Sequence, residues 1–470
     1  MLYHPTVPPH SSIASGQIPA GSHSGLVDKK REMHQQQQQL NQQHTMLYAS
    51  LRHSTPSPQG YHTRMDFASQ IPMMLPGATL FGPSATNHQA MALYQQGSRP
   101  TRGPESGDTA VSLRSSLLNE FRTNKARKWE LKDIAGYVVE FSGDQHGSRF
   151  IQQKLETAPS EEKQFVFDEI VPTQALQLIQ DVFGNYVIQK LFEHGTHTQK
   201  SILVNTMEGH VLTLSLQMYG CRVVQKAIEY VLPDQQLAFV QELDTHVLKC
   251  VKDANGNHVI QKLIERVSPE RLGFVQAFQG NVYELSTHPY GCRVLQRCFE
   301  HLGDDQTRPL LDELHKYIAN LMQDQFGNYV IQFVLERGQP QDQALIISKL
   351  RGQMLQMARH KFASNVCEKA LITADPENRR ILIDEIMTPK QDGVNPIVTM
   401  MKDQFANYVL QRALAVSEGE QKENLIAKIR PQLVTMRRYS SAYSKHLISI
   451  ERLIEKSAPK SIELSTMSDV

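Results

Sequence analysis

Phe183-Gly-Asn-Tyr-Val-Ile-Gln189 and Phe326-Gly-Asn-Tyr-Val-Ile-Gln332 are the same seven residues, and six variants of the phrase lie between and around them. These are His146-Gly-Ser-Arg-Phe-Ile-Gln152, Tyr219-Gly-Cys-Arg-Val-Val-Gln225, Asn255-Gly-Asn-His-Val-Ile-Gln261, Tyr290-Gly-Cys-Arg-Val-Leu-Gln296, Phe362-Ala-Ser-Asn-Val-Cys-Glu368 and Phe405-Ala-Asn-Tyr-Val-Leu-Gln411. The small residue at the second position recurs at intervals of 37, 36, 36, 35, 36, 36 and 43 residues. Only the last interval is long, and it holds the breaker-rich stretch Thr388-Pro-Lys-Gln-Asp-Gly-Val-Asn-Pro396, which reads as an inserted surface loop. Elsewhere, as in Leu117–Phe121 and Leu131–Phe141, apolar residues fall at i, i+3 and i+4, and strand signals are scarce. A period of this length filled by helices predicts an all-α fold, an α-solenoid whose neighbouring units bury each other's apolar faces.

The phrase opens a helix. Five copies place Asp three residues before the small residue (Asp144, Asp181, Asp253, Asp324 and Asp403), which is good N-cap chemistry, and Pro289 suits a first helical position. The mostly aromatic first residue and the apolar pair before the last residue are assigned to the core. Three positions remain polar: the third, the fourth and the seventh. The third and seventh are one turn apart on one face, with the fourth beside them.

An isolated Asn here would read as a cap, and an isolated Gln or Arg as solvated surface. Neither accounts for the coupling within triplets. Tyr or His accompanies Asn in Asn185/Tyr186, Asn257/His258, Asn328/Tyr329 and Asn407/Tyr408, whereas Arg accompanies Ser or Cys in Ser148/Arg149, Cys221/Arg222 and Cys292/Arg293. The seventh unit has Ser364/Asn365. The seventh position is Gln152, Gln189, Gln225, Gln261, Gln296, Gln332 and Gln411, but Glu368 in one unit only.

Planar side chains at regular intervals are platforms for bases, each stack contributing about 1–3 kcal/mol. Single-stranded RNA offers its Watson–Crick edges to such side chains. Gln both donates and accepts, so it can satisfy adenine or uracil, and the third residue must choose: Asn adds a hydrogen bond to a uracil carbonyl, while Cys or Ser leaves room for a purine. An ionised Glu368 only accepts, and guanine alone presents two adjacent donors there. One guanine is therefore expected, at the seventh unit.

The phrases, their number and two flanking half-similar stretches (about 111–141 and about 431–458) closely resemble the Pumilio homology domain of the PUF family. The resemblance implies a crescent of three-helix repeats over residues 111–458, with single-stranded RNA on the concave face and its 5′ end at the eighth repeat. It further implies a post-transcriptional repressor in the cytoplasm that binds mRNA 3′ untranslated regions and recruits deadenylation or translational-repression factors. By the family's pairing rules, Asn407/Gln411, Ser364/Glu368, Asn328/Gln332 and Cys292/Gln296 read U, G, U and A. Asn257/Gln261, Cys221/Gln225, Asn185/Gln189 and Ser148/Gln152 then read U, A, U and A. The expected site is UGUAUAUA, least strict at the fifth base. The C-terminal flank departs from the family in Tyr439-Ser-Ser-Ala-Tyr-Ser-Lys-His446, which is longer and has Ser444 where Gly is usual.

The remaining sequence narrows the alternatives. The chain has 470 residues with 49 basic and 48 acidic side chains, which excludes a polycation held by bulk charge. Its five cysteines form no CxxC pair and no disulfide framework. No secretory leader or membrane-spanning run stands out, and no Ser/His/Asp set, phosphate loop or metal spacing is present. The expectation is a non-enzyme with no cofactor, no metal, no membrane and no small-molecule substrate. Residues 1–110 hold 11 of the 23 prolines and the run His34-Gln-Gln-Gln-Gln-Gln-Leu-Asn-Gln-Gln-His44, and they read as a disordered tail. Residues 459–470 read as a short flexible end.

Two rivals share the helical array. A peptide-binding armadillo-like or HEAT-like scaffold could use Asn rows, but gives no reason for a single Glu. A PUF-like ribosome-assembly protein would have degenerate triplets and a basic surface, whereas residues 111–470 carry 42 basic and 43 acidic side chains. Co-repressor contacts are expected on the convex face or at the loop 388–396.

Overall fold

A computed structural model describes residues 114–389, 393, 395–439 and 444–457, all within a single compact unit spanning 101–470. The proposed tail 1–110, the C-terminal end 459–470, residues 390–392 and 394 of the inserted loop and residues 440–443 of the C-terminal flank lie outside the described residues.

Among the described residues every regular element is helical. Each unit but the fourth is a short first helix, a longer second helix that begins with the repeated phrase, and a third helix. In unit 2 these are Ala175–Ile179, Gly184–His194 and His197–Met207. The second helices run Gln145–Thr157, Gly184–His194, Gly220–Tyr230, Gly256–Arg266, Gly291–His301, Gly327–Arg337, Ala363–Thr373 and Ala406–Val416. Each packs against the second helix of the unit before and after it, and the last against the flanking helix Ser444–Ser457.

The apolar pair of the phrase supplies this stack. Val187/Ile188, Val223/Val224, Val259/Ile260, Val294/Leu295, Val330/Ile331, Val366/Cys367 and Val409/Leu410 are all fully buried, each side chain contributing about 1.5–3 kcal/mol. The first phrase residue is less uniformly interior than expected: Phe326 is buried, most others are half-buried, and His146 is exposed. The small second residue is required by close approach. A Cβ on Gly147, Gly220 or Gly291 would come within 2.4–2.6 Å of a main-chain oxygen in its own unit's first helix.

Odd and even units differ. In units 1, 3, 5 and 7 a glycine with φ of 76–79° (Gly136, Gly209, Gly280 and Gly352) precedes the first helix. Its N–H donates to a glutamate 33 residues later on the third helix: Glu169, Glu242, Glu313 or Glu385, at 2.6–2.9 Å. The same carboxylate accepts a second N–H, from Val138, Leu212, Val282 or Met354. Unit 4 is irregular, since its third helix is replaced by two 3-10 segments, Pro269–Arg271 and Gly273–Phe278. After unit 8 the helix Gly419–Tyr439 continues through Pro431 without a break.

Candidate nucleic-acid interface

The start of the second helix is built in the same way in every unit but the third, where Gln217 holds the cap position and its Oε1 accepts no hydrogen bond. Asp181, Asp253, Asp324 and Asp403 each accept two main-chain N–H groups, from the phrase's first two residues, at 2.7–2.9 Å. Asp144 does likewise for His146 and Gly147. In units 5 and 7 a histidine takes the aspartate's place. His288 Nδ1 accepts from Tyr290 and Gly291, both at 3.2 Å, and His360 Nδ1 from Phe362 and Ala363 at 3.2 and 3.3 Å. The sequence did not mark these histidines as caps. In unit 5 Pro289 lies in the turn just before the helix Gly291–His301, which the Cys292 N–H closes on His288 O, and not at the helix's first position as expected.

With the caps supplied elsewhere, the third residue is free for another role. It is buried in all eight units, with Ser148, Asn185, Cys221, Asn257, Cys292, Asn328, Ser364 and Asn407 only 0–4% exposed. Each donates from its side chain to the carbonyl three residues back: Gln145, Val182, Met218, Ala254, Pro289, Gln325, Lys361 and Gln404 respectively. The seventh residue is half-buried in every unit. The fourth is exposed as Arg149, Tyr186, Arg222, His258, Asn365 and Tyr408, and half-buried as Arg293 and Tyr329. All 24 polar positions expected from the sequence therefore fall into one repeated arrangement: a buried third residue, a half-buried seventh one turn on, and an outward fourth beside them.

Two versions of this arrangement exist. In the four Asn units both amide N–H groups of Asn donate to helix carbonyls; for Asn185 these are Asp181 O at 2.9 Å and Val182 O at 3.1 Å. That pins the orientation of the amide and leaves its Oδ1 facing the seventh residue. Gln189, Gln261, Gln332 and Gln411 each donate one Nε2 hydrogen to that oxygen at 2.9–3.0 Å. Since both Asn hydrogens are engaged, a bond from Asn to a base carbonyl would be shared with one of these main-chain oxygens. In the two Cys units the glutamine turns to the backbone instead. Gln225 donates to Cys221 O and Gln296 to Cys292 O, both at 3.0 Å. The third residue thus decides where the carboxamide of the seventh is anchored. Burial pushes the Cys221 thiol up to about 11 and the Cys292 thiol up to about 12, so both are neutral at physiological pH.

Unit 7 is the exception in charge. Glu368 stands where the other units have Gln, and its carboxylate faces Arg412 Nη2 of unit 8 at 3.6 Å. Burial raises its pKa above the ordinary glutamate value, and Arg412 opposes the rise. In unit 4, desolvation in the groove, then the positive charges of Arg293 and Arg222, lowers the pKa of His258, which favours a neutral ring. All five cysteines are buried and unpaired. No cluster of metal-ligating side chains occurs among the described residues, and no helix among them is long and apolar enough to cross a membrane.

The fold and this groove define an α-solenoid with one polar triplet per unit, the architecture of a modular reader of an extended polymer. The family model described as the Pumilio-family RNA binding repeat matches eight stretches: 137–171, 174–206, 210–243, 246–273, 281–315, 317–351, 353–387 and 396–430. The chain belongs to the Pumilio family. The shortest match, 246–273, ends at the start of the second 3-10 segment of unit 4.

Among proteins, the chain is 48% identical over 344 residues to the mRNA-binding protein puf3 of Schizosaccharomyces pombe, covering 73% of this chain and 47% of that one. It is 51% identical over 375 residues to Pumilio homolog 1 of Xenopus laevis, covering 79% of this chain and 30% of that one. The chain thus spans less than half the length of these curated relatives. Among solved structures, it matches a Puf3 RNA binding domain bound to a Cox17 RNA 3′ UTR recognition sequence with a TM-score of 0.67 and 42% identity, covering 73% of this chain and 100% of that one. It matches PUF-8 in complex with PBE-RNA with a TM-score of 0.68 and 37% identity, covering 72% and 99%.

Proposed function

We propose that this protein is a non-enzymatic, sequence-specific binder of single-stranded RNA that recognises UGUAUAUA-like elements in mRNA 3′ untranslated regions. In this reading it acts in the cytoplasm as a post-transcriptional repressor, by recruiting deadenylation or translational-repression factors. The observation that carries the reading is the eightfold repetition of one triplet arrangement, with distinct Asn and Cys versions and a single carboxylate among the seventh residues. Solved relatives bound to 3′ UTR sequences support it. The fourth residues would stack on bases, and the third and seventh would read their edges. Unit 8 would hold the 5′ base and unit 1 the 3′ base.

Fluorescence anisotropy of the full chain against UGUAUAUA, and against the same RNA with its guanine changed to cytosine, tests the reading. Tight binding that is lost on the change is the expected result. Weak or equal binding to both would favour a peptide-binding scaffold or a ribosome-assembly RNA binder of little sequence preference. Recruitment would use the convex face or the loop 388–396, and deleting that loop should reduce repression of a reporter carrying the site without reducing RNA affinity.

A further inference from the structure

Past the reading positions, the second helices carry another series of side chains. Lys190 lies one turn beyond Tyr186 and Glu193 one turn beyond Gln189, so both prolong the stripe that carries the triplet. Lys190 bonds Glu156 of the preceding unit at 2.7 Å and its own unit's Glu193 at 2.8 Å. Lys226 bonds Glu193 at 3.0 Å and Glu229 at 3.3 Å, and Lys262 bonds Glu229 and Glu265, both at 3.0 Å. Arg297 joins Glu265 at 3.7 Å and also pairs with Glu300, and Arg337 closes the row on Glu300 at 2.6 Å. From unit 1 to unit 6, five carboxylates thus alternate with five cations. The members from Lys226 to Arg297 are only 19–28% exposed, unlike ordinary surface pairs. Burial alone would raise the pKa of Glu193, yet Lys190 and Lys226 hold it below the usual glutamate value; Lys262 and Lys226 do the same for Glu229.

The position of this row matters for a groove that holds RNA. A cation free to meet a phosphate adds affinity for any sequence and a salt dependence of about 0.7 in the logarithmic slope per contact on a single strand. A bare row of cations beside the triplets would therefore strengthen binding to every RNA. Here each lysine in the middle of the row is held between two carboxylates and the row sums to zero. We propose that Glu193, Glu229 and Glu265 are specificity determinants, neutralising the lysines of the groove so that RNA is retained through its bases rather than its phosphates. This rests on the RNA-binding reading of the same groove. A row that merely staples neighbouring units would make the carboxylates matter to stability alone.

The test uses the full chain with Glu193→Gln, Glu229→Gln and Glu265→Gln combined, which leaves Lys226 and Lys262 without either carboxylate. Affinity is measured for UGUAUAUA and for a scrambled RNA of the same composition, across a salt series. The scrambled RNA should bind about tenfold more tightly at low salt, its slope should steepen by about 0.7 for each of the two freed lysines, and the cognate-to-scrambled ratio should fall. A lowered melting temperature with slope and ratio unchanged would leave only a staple and overturn the proposal. Glu229→Gln alone gives the same reading, in smaller measure, if the triple variant does not fold. Replacing Lys226, Glu229 and Lys262 together by Gln should keep the wild-type slope; a steeper slope there would also overturn it. If the wild-type chain itself does not distinguish the two RNAs, the functional reading fails instead.

Discussion

At the scale of single residues, the sharpest feature is Glu368. Replacing it with Gln gives unit 7 the Ser/Gln pairing of unit 1, so the preference at the second base should move from guanine toward adenine by about 1–3 kcal/mol. Competition binding with the four second-base variants measures this, and an unchanged guanine preference would remove the acceptor-only account. The raised pKa adds a pH dependence. Protonation turns the acceptor into a partial donor, and a carboxyl with a raised pKa takes up its proton at a higher pH than an ordinary glutamate. Affinity for the guanine site should therefore fall on acidification sooner than an unperturbed glutamate would allow, while Glu368→Gln should be flat over the same range. The residue types of the triplets were legible because they recur eight times. How they are connected was not: an asparagine that spends both hydrogens on its own helix looks, in sequence, like one that is free to bind.

At the scale of the helix, two features set the start of each reading segment. The first is close approach. Gly147→Ala would place a methyl 2.4 Å from Phe141 O, a main-chain atom that cannot swing away. At Gly184 the nearest atom is a Leu178 side-chain methyl at 2.7 Å, which can move, and the main-chain oxygen of Leu178 stands farther off at 3.0 Å. Gly147→Ala should therefore cost about 1–3 kcal/mol. Gly184→Ala should be close to neutral, because the helix-propensity gain of about 1 kcal/mol offsets its smaller clash; thermal unfolding of the two variants compares them. The second feature is the histidine cap. Burial, then Lys252, holds His288 below its ordinary pKa of 6.5, with Glu284 pulling the other way. Its folded-state pKa is depressed, so its stabilisation is present above the ordinary value and is lost as pH falls from there through the folded value. His288→Asp, which copies the even units, should lose less melting temperature than wild type on acidification. An equal loss in both would show that the cap does not titrate. The aspartate caps were legible from residue type and spacing. His288 and His360 were not, since imidazole is not among the preferred cap side chains.

At the scale of the whole molecule, the true repeat is a pair of units. Glycine–glutamate clamps mark the odd members, asparagine–glutamine pairs mark the even ones, and the expected site alternates with the same period after its first bases. Removing residues 209–279 joins unit 2 to unit 5 and replaces one positive-φ glycine by another, Gly280. The shortened chain should fold and prefer UGUAUA. Removing one unit, residues 209–244, sets even against even and should lower the melting temperature further although less chain is lost. The overall period was legible because helical patterning repeats; the clamp and the charged row were hidden because their partners stand about 30–40 residues apart in different helices. The burial of the third residue reaches further than any one site. If the choice of base is made by a side chain that is 0–4% exposed and bonded to its own backbone, then a new target letter is a change to the protein's interior. Such a lineage cannot drift freely among messages, because each respelling must first pass as a viable repacking of the core, and its vocabulary should evolve at the pace of its fold.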